Sequence, residues 1–437
     1  MNSKDIFHKE FQIKPWWWEA YEPQALDLTD VPGTADVAIV GAGYAGISAA
    51  LELAKCNINA VVFDAEQPGF GGSTRNGGMV SGGRNVGRRY TSASAAEEEK
   101  LKILRRDAAD GFSLIERLIE EENIDCHWTK TGSFTGAWCR KHFNAMKKKV
   151  ADLNEIAPSE AFIVPPERQR EHIGSDYYRG GMVVERGAHL HPALYFKGLL
   201  DACERRNVTI CAKAGVTQLS QLDAGWQVET TRGAIRVKDV MIATNGYTGD
   251  ITPQLKRRVV PVGSYMIATE ELPDDLAATI SPKNRSLSDS RRVLTYYRMS
   301  PDGKRLLFGG RAKFGQTEPL ETAPILYRFM TDRFPQLKGS RITHAWTGNV
   351  AFTMDEVSHM GKMDGLHYAM GCNGSGVAMM TYLGTQTARK IAGVTNQPCA
   401  FDGLDFSTHA LYHGNPWFIP MVGRYFRTRD WIDRRFN

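Results

Sequence analysis

Four apolar residues, Val37 to Val40, run into Gly41, and an Ala/Leu-rich stretch follows whose apolar positions recur at helical spacing as far as Ala54. A second β-branched run, NAVVFDA at 59–65, ends in Asp64 and Ala65. Short, wholly apolar runs bounded by turn residues read as buried parallel strands, so the pattern predicts strand, glycine turn, helix, strand. Leu101, Leu104, Ala108, Phe112, Ile115, Leu118 and Ile119 recur at three- and four-residue steps and predict a long amphipathic helix over 95–122. Residues 187–206 predict another helix, and GWQVETT and GAIRVKDVMIATNG predict strands that return the chain to the first sheet. From Arg258 to Leu307 the pattern turns antiparallel, with a PDGK turn at 301–304, which implies a second domain built on a sheet. Beyond Arg341 come WTGNVAFTMDEVSHMG, a strand at 366–371, the loop CNGSGV and a helix to Ile391.

The first unit carries the clearest chemistry. Gly41 permits a tight turn, Gly43 lets a pyrophosphate approach the backbone, and Gly46 allows close helix packing, with Tyr44 and Ala45 between them at the helix start. The helix N-terminus then faces the phosphates. Asp64, 23 residues after Gly41, stands near the spacing of about 20 expected for an acid that binds a ribose hydroxyl, and its charge repels a 2′-phosphate. This reading argues against NADP and leaves both NAD and FAD open.

Composition narrows the class. A length of 437 residues implies two or three domains, and 42% apolar residues supply a large core. A net charge of +5 gives no general case for nucleic acid. The seven cysteines show no CxxC pairing and are expected to be reduced core residues, with no metal site. No charged-then-apolar leader opens the chain and no apolar run nears the ~18 residues that span a bilayer, so a cytoplasmic location is expected.

The segments GAGYAGISAALEL, GFGGSTRNGG, HPALYFKGL, ATNGYT, PVGSYMIATEEL, LLFGGRA, WTGN and GCNGSGV together resemble the FAD-dependent amine and amino-acid oxidoreductases of the D-amino-acid oxidase, glycine oxidase and sarcosine oxidase group, above all the γ-glutamylputrescine oxidase type. The resemblance implies an α/β plus α+β architecture: a Rossmann-like FAD-binding domain with an antiparallel-sheet substrate domain. The expected division is an N-terminal strap (1–34, with Trp16, Trp17 and Trp18), a discontinuous FAD domain (35–90, 180–257, 340–400), a substrate domain (91–179, 258–339) and a basic-aromatic tail (401–437). Around FAD the Gly-rich loop would contribute Gly72, Ser73, Arg75, Asn76, Gly77, Gly78 and Met79, its backbone N–H groups meeting anionic oxygens. Val216 corresponds to the position whose backbone meets adenine, and Ala243, Thr244, Asn245 and Gly246 end a strand touching the cofactor. Gly371, Gly374, Ser375, Gly376 and Val377 open a helix whose N–H groups would stabilise negative charge at the flavin pyrimidine edge. Relatives that attach flavin covalently use a cysteine or a histidine where this chain has Gly348 and Asn76, so non-covalent FAD is expected.

In such enzymes a C–H next to nitrogen yields hydride to the flavin, and no protein acid–base pair is required. The lysine or arginine that anchors a substrate α-carboxylate in relatives is replaced here by Ala378 and Gly374. A carboxylate buried without a partner is disfavoured, which points toward a γ-glutamylated or other long-chain amine. Tyr265, Tyr297 and Trp346 are candidate aromatic walls, and Arg298 and Arg311 candidate replacement anchors or interdomain ion pairs; an anchor would favour a cyclic or N-alkyl amino acid of the pipecolate or sarcosine type. His189 and His191 read as capping or packing residues. The oxygen-activating lysine of sarcosine oxidases falls at Phe308; Lys304, Lys313 or Arg311 could supply that charge, and without it a quinone or carrier would replace O2 as electron acceptor. The tail, with five arginines among aromatics, packs on the protein or lies on a membrane surface. A non-catalytic FAD-binding protein is the remaining alternative.

Overall fold

The computed structural model describes residues 6–24, 29–81, 86, 94–394 and 398–436. Two sheets organise them. The strands Val37–Val40, Ala60–Phe63, Thr209–Cys211, Asp239–Ile242 and Leu366–Met370 pair in parallel, and His359–Met363 adds an antiparallel edge. Every residue of Val37–Val40 and Ala60–Phe63 is buried, because the helices Tyr44–Lys55, Pro192–Glu204 and Gly376–Ile391 bring Ile47, Leu51, Phe196, Leu199 and Leu383 into one continuous apolar core around these strands. A small antiparallel sheet, Val216–Gln221, Trp226–Thr230 and Gly233–Val237, stands beside them.

The second sheet has nine strands, in the order Phe7–Gln12, Ile342–Phe352, Val260–Thr269, Leu306–Gly310, Thr295–Met299, Ser286–Asp289, Ser133–Gly136, Gly181–Val184 and Ala161–Val164. One face is covered by the helix Pro319–Arg333 and buries Tyr265, Ile267, Leu287, Tyr297 and Phe308. Alternate residues point to the opposite face, which meets the nucleotide-type domain.

Several expected elements shift. Strands Ile342–Phe352 and Gly181–Val184 lie within segments assigned to the FAD domain, yet both pair in the nine-stranded sheet. The expected N-terminal strap contributes a strand, Phe7–Gln12, that pairs in parallel with Ile342–Phe352. The expected helix at 187–206 is the strand Gly187–His189 followed by a helix over Pro192–Glu204, because Pro192 suits a first helical turn and the His191 ring accepts the Leu194 N–H at 3.2 Å. The long helix spans Ala95–Glu121, while the helices Arg140–Ile156 and Pro319–Arg333 had no counterpart in the sequence reading.

The tail contains the helix Ile419–Phe436, tied to the loop between the strands Ser286–Asp289 and Thr295–Met299. Its Asp430 carboxylate accepts the N–H groups of Arg292 (3.0 Å) and Val293 (2.9 Å), and Asp433 pairs with Arg292 at 2.5 Å. Met421, Tyr425 and Trp431 stay exposed. All seven cysteines are unpaired. Among the described residues no helix is long and apolar enough to cross a membrane, and no group of His, Cys, Asp and Glu could hold a metal ion.

Candidate active site

A cleft of about 840 Å³ runs between the two sheets, within the range of cofactor and ligand sites. At one end it is bounded by the first strand–turn–helix unit. Gly41 has φ +104°, and a Cβ at Gly46 would lie 1.9 Å from the Gly41 carbonyl oxygen, so both positions demand glycine. The turn brings the first N–H groups of the helix Tyr44–Lys55 to the cleft wall. Asp64 accepts the N–H of Ala42 and of Glu66, each at 2.8 Å. Burial raises its carboxyl above the usual range, against these two hydrogen bonds. A carboxylate offers about four lone-pair sites, so capacity remains for a ribose hydroxyl.

The Gly-rich loop closes the next stretch. Ser73 Oγ accepts the Tyr44 N–H at 3.0 Å and keeps its own proton to donate. Asn76 staples the loop: its amide donates to the Ser73 carbonyl (2.8 Å) and the Gly72 carbonyl (3.1 Å), and its oxygen accepts the Gly78 N–H (2.8 Å). Arg75 is held between aromatic faces, its guanidinium carbon 4.6 Å from the Trp18 ring centre and 4.5 Å from that of Phe70, while Nε donates to the Phe70 carbonyl at 2.7 Å. Burial lowers the pKa of this guanidinium.

Gly41, Gly43, Tyr44, Ala45, Asp64, Ala65, Gly72, Ser73, Arg75, Asn76, Gly77, Met79, Val216, Ala243, Thr244, Asn245, Gly374, Gly376 and Val377 all line the cleft. Gly46, Gly78, Gly246, Gly371 and Ser375 stand behind it. A Cβ at Gly78 would reach 2.1 Å from the Leu190 carbonyl oxygen, the Gly371 N–H donates to Asn245 Oδ1 at 3.0 Å, and Ser375 is the residue before the helix Gly376–Ile391. These positions fit an adenine dinucleotide: two glycines that admit no side chain, the first turns of two long helices, and an acid at the end of the second strand.

The sheet end of the cleft departs from expectation. Of the five substrate candidates, Arg311 lines it. Tyr265 and Tyr297 project to the opposite face, where the Tyr265 hydroxyl donates to the Gly315 carbonyl and the Tyr297 hydroxyl meets that of Tyr178 at 2.6 Å. Arg298 is fully buried beside Trp17, donating to the carbonyls of Leu190 (2.7 Å) and Met299 (3.0 Å); burial pulls its pKa down to about 9. Trp346 packs with Trp17 and Met266, and its indole N–H donates to the Arg75 carbonyl at 2.8 Å. Lys304 and Lys313 lie outside the cleft beside Glu271 and Glu321, and Phe308 stacks on Tyr297 in the far core.

In their place the cleft is lined by Ser264, Tyr296, Ser133, Thr135, Ser286, Ser288 and Lys149, none of which the sequence reading singled out. Tyr296 Oη and Ser264 Oγ lie 2.9 Å apart. Burial raises the Tyr296 phenol, opposed by the Ser264 hydrogen bond and the Arg311 charge. Alternation in TYYRM was the available signal, but it could not say which of two adjacent tyrosines faces inward.

Residues 36–390 match the DAO family, described as FAD dependent oxidoreductase. The γ-glutamylputrescine oxidoreductase of Escherichia coli (strain K12) is 31% identical over 405 residues, covering 91% of this chain and 93% of that protein. The fold is similar to the crystal structure of glycine oxidase from Geobacillus kaustophilus (TM-score 0.72, 18% identity, 87% of this chain and 99% of that one). It is also similar to L-proline dehydrogenase from P. horikoshii (TM-score 0.71, 18% identity, 84% and 96%).

Proposed function

Because this chain belongs to the DAO family of FAD-dependent oxidoreductases, we propose that it oxidises the carbon next to an amine nitrogen, giving an imine that water hydrolyses, and that its substrate is a γ-glutamylated or other long-chain amine. FAD, when bound, supplies the hydride acceptor. The protein's task is to hold the dinucleotide, orient the amine and exclude bulk water. The N–H groups of Gly43 and Ala45 and the hydroxyl of Ser73, itself held by the Tyr44 N–H, would hold the pyrophosphate, and Asp64 the ribose. The first-turn N–H groups at Gly376 and Val377 would favour negative charge on the redox end of the cofactor. With Gly348 and Asn76 at the attachment positions of covalent relatives, the cofactor is held without a covalent bond.

One observation carries the substrate reading: the buried cation Arg298 is turned away to backbone carbonyls, and Ala378 and Gly374 stand where relatives anchor an α-carboxylate. A long amine keeps its carboxylate away from the reacting carbon and needs no charge there. The similarity to γ-glutamylputrescine oxidoreductase over nearly the whole chain supports the same choice. Arg311, lining the cleft near Tyr296, favours a second reading, in which it anchors the carboxylate of a cyclic or N-alkyl amino acid. Anaerobic addition of an amine panel, read by flavin absorbance, tests both. Bleaching by γ-glutamylputrescine and not by sarcosine or pipecolate supports the first, the reverse supports the second, and no bleaching by any amine rejects both.

A further inference from the structure

Two strands distant in sequence, Ser133–Gly136 and Ser286–Asp289, pair in parallel, with Ser133 opposite Ser286 and Thr135 opposite Ser288. Residues two apart on a strand share a face, so the four hydroxyl-bearing side chains form a two-by-two patch, and all four line the cleft. The intervening Phe134 and Leu287 are buried in the core on the other face. Thr135 Oγ1 and Ser288 Oγ lie 3.2 Å apart. Ser286 is 4% exposed, and its hydroxyl has no hydrogen-bond partner. A buried hydroxyl left unpaired is costly, and at a cleft wall it marks where a polar group of a ligand completes the pairing.

Resting on the amine reading above, we propose that Ser133, Thr135, Ser286 and Ser288 form the subsite that receives the amide of an N-acylated amine. A hydroxyl both donates and accepts, and an amide presents one carbonyl acceptor and one N–H donor, so the two are matched in kind. The four residues of the patch carry no charge, so a neutral amide rests on them without leaving a charge unpaired. Met182, opposite Thr135 on the next strand, supplies an apolar wall. Lys149, on the helix Arg140–Ile156 that packs against that strand, also lines the cleft. Discrimination between acylated and free diamines then arises on the sheet.

The test compares the FAD-loaded wild type with Thr135→Val, Ser286→Ala and their double variant, with Thr135→Ser as the hydroxyl-retaining control. Binding of γ-glutamyl-n-butylamide, which lacks the distal amine, is measured by calorimetry, and reduction by γ-glutamylputrescine and by putrescine is followed anaerobically. Melting temperature and FAD content identify variants that fail to fold. The double variant is expected to bind the amide ~5-fold or more weakly and to lose discrimination between the two amines, with Thr135→Ser close to wild type. A wild type reduced by γ-glutamylputrescine whose amide binding is unmoved in the double variant overturns the subsite alone. A wild type that neither binds the amide nor is reduced by any amine overturns the substrate reading and the subsite with it.

Discussion

The carboxylate of Asp64 accepts the backbone N–H of Ala42 at 2.8 Å, so the acid that ends the second strand also braces the glycine turn that ends the first. Its other oxygen accepts the Glu66 N–H at 2.8 Å. One side chain thus fixes the geometry of the dinucleotide turn and remains available to a ribose. Asp64→Ala removes both contacts; hydrogen bonds to a charged group contribute roughly 1.5–3 kcal/mol. The variant should fold and lose FAD on gel filtration, and retention of a full complement of flavin would contradict the role.

Acidification should destabilise the fold through two buried imidazoles. Burial, reinforced by the Arg298 charge, holds His189 and His191 down to about 3 from an ordinary 6.5. In the unfolded chain both protonate near 6.5, so the stability present above that pH is lost as pH falls toward about 3. Two such groups give a slope of roughly 3 kcal/mol per pH unit below about pH 6. Thermal melts between pH 7 and 4.5 should show a steep fall, and a flat profile would count against buried neutral imidazoles.

Behind the cleft, Arg333 and Asp289, both fully buried, pair at 2.8 Å, and Arg291 and Thr295 also donate to the same carboxylate. The charge of Arg291 and Arg333 holds Asp289 below its usual range despite its burial. Removing one member of a buried pair leaves the other uncompensated, at a cost of about 3–5 kcal/mol. Arg333→Met should lower the denaturant midpoint without changing which amines reduce the flavin; a shift in amine preference would show that this network reaches the cleft.

Arg311 separates two chemistries. Its guanidinium lies 4.5 Å over the Phe352 ring, at the wall of the cleft. Under the long-amine reading, Arg311→Met slows flavin reoxidation by O2 and leaves amine-dependent reduction within ~3-fold of wild type, a change of under about 0.7 kcal/mol. Loss of the reductive half-reaction in stopped flow would instead assign Arg311 to a substrate carboxylate.

Acid precipitation addresses flavin attachment. If Gly348 and Asn76 take the places at which covalent relatives attach flavin, the precipitate in trichloroacetic acid should be colourless and the supernatant yellow. Cys372 also lines the cleft, its thiol directed to the Ala351 carbonyl at 3.6 Å. A yellow precipitate that loses its colour in Cys372→Ala would relocate the attachment to that sulfur.

The strand–turn–helix–strand unit and its acid were legible in sequence because their determinants are local: a conformation only glycine tolerates, a β-branched run, a helix start. The inward face of the second sheet was not. Tyr265 and Tyr297 are the expected cleft walls, yet Ser264 and Tyr296, one position away, hold those places, because a period of two gives alternation without saying which set faces the cleft. Arg298 does share the Tyr296 side of its strand, but Trp17 and Leu190 cover it.

The sequence by itself determined the nucleotide end of the protein, since each requirement there is met within one turn or one βαβ unit. Tertiary structure alone decided the sheet end of the cleft. The patch of Ser133, Thr135, Ser286 and Ser288 exists only because two strands some 150 residues apart pair in one register, and that register is set by the burial of Phe134 and Leu287 on the opposite face.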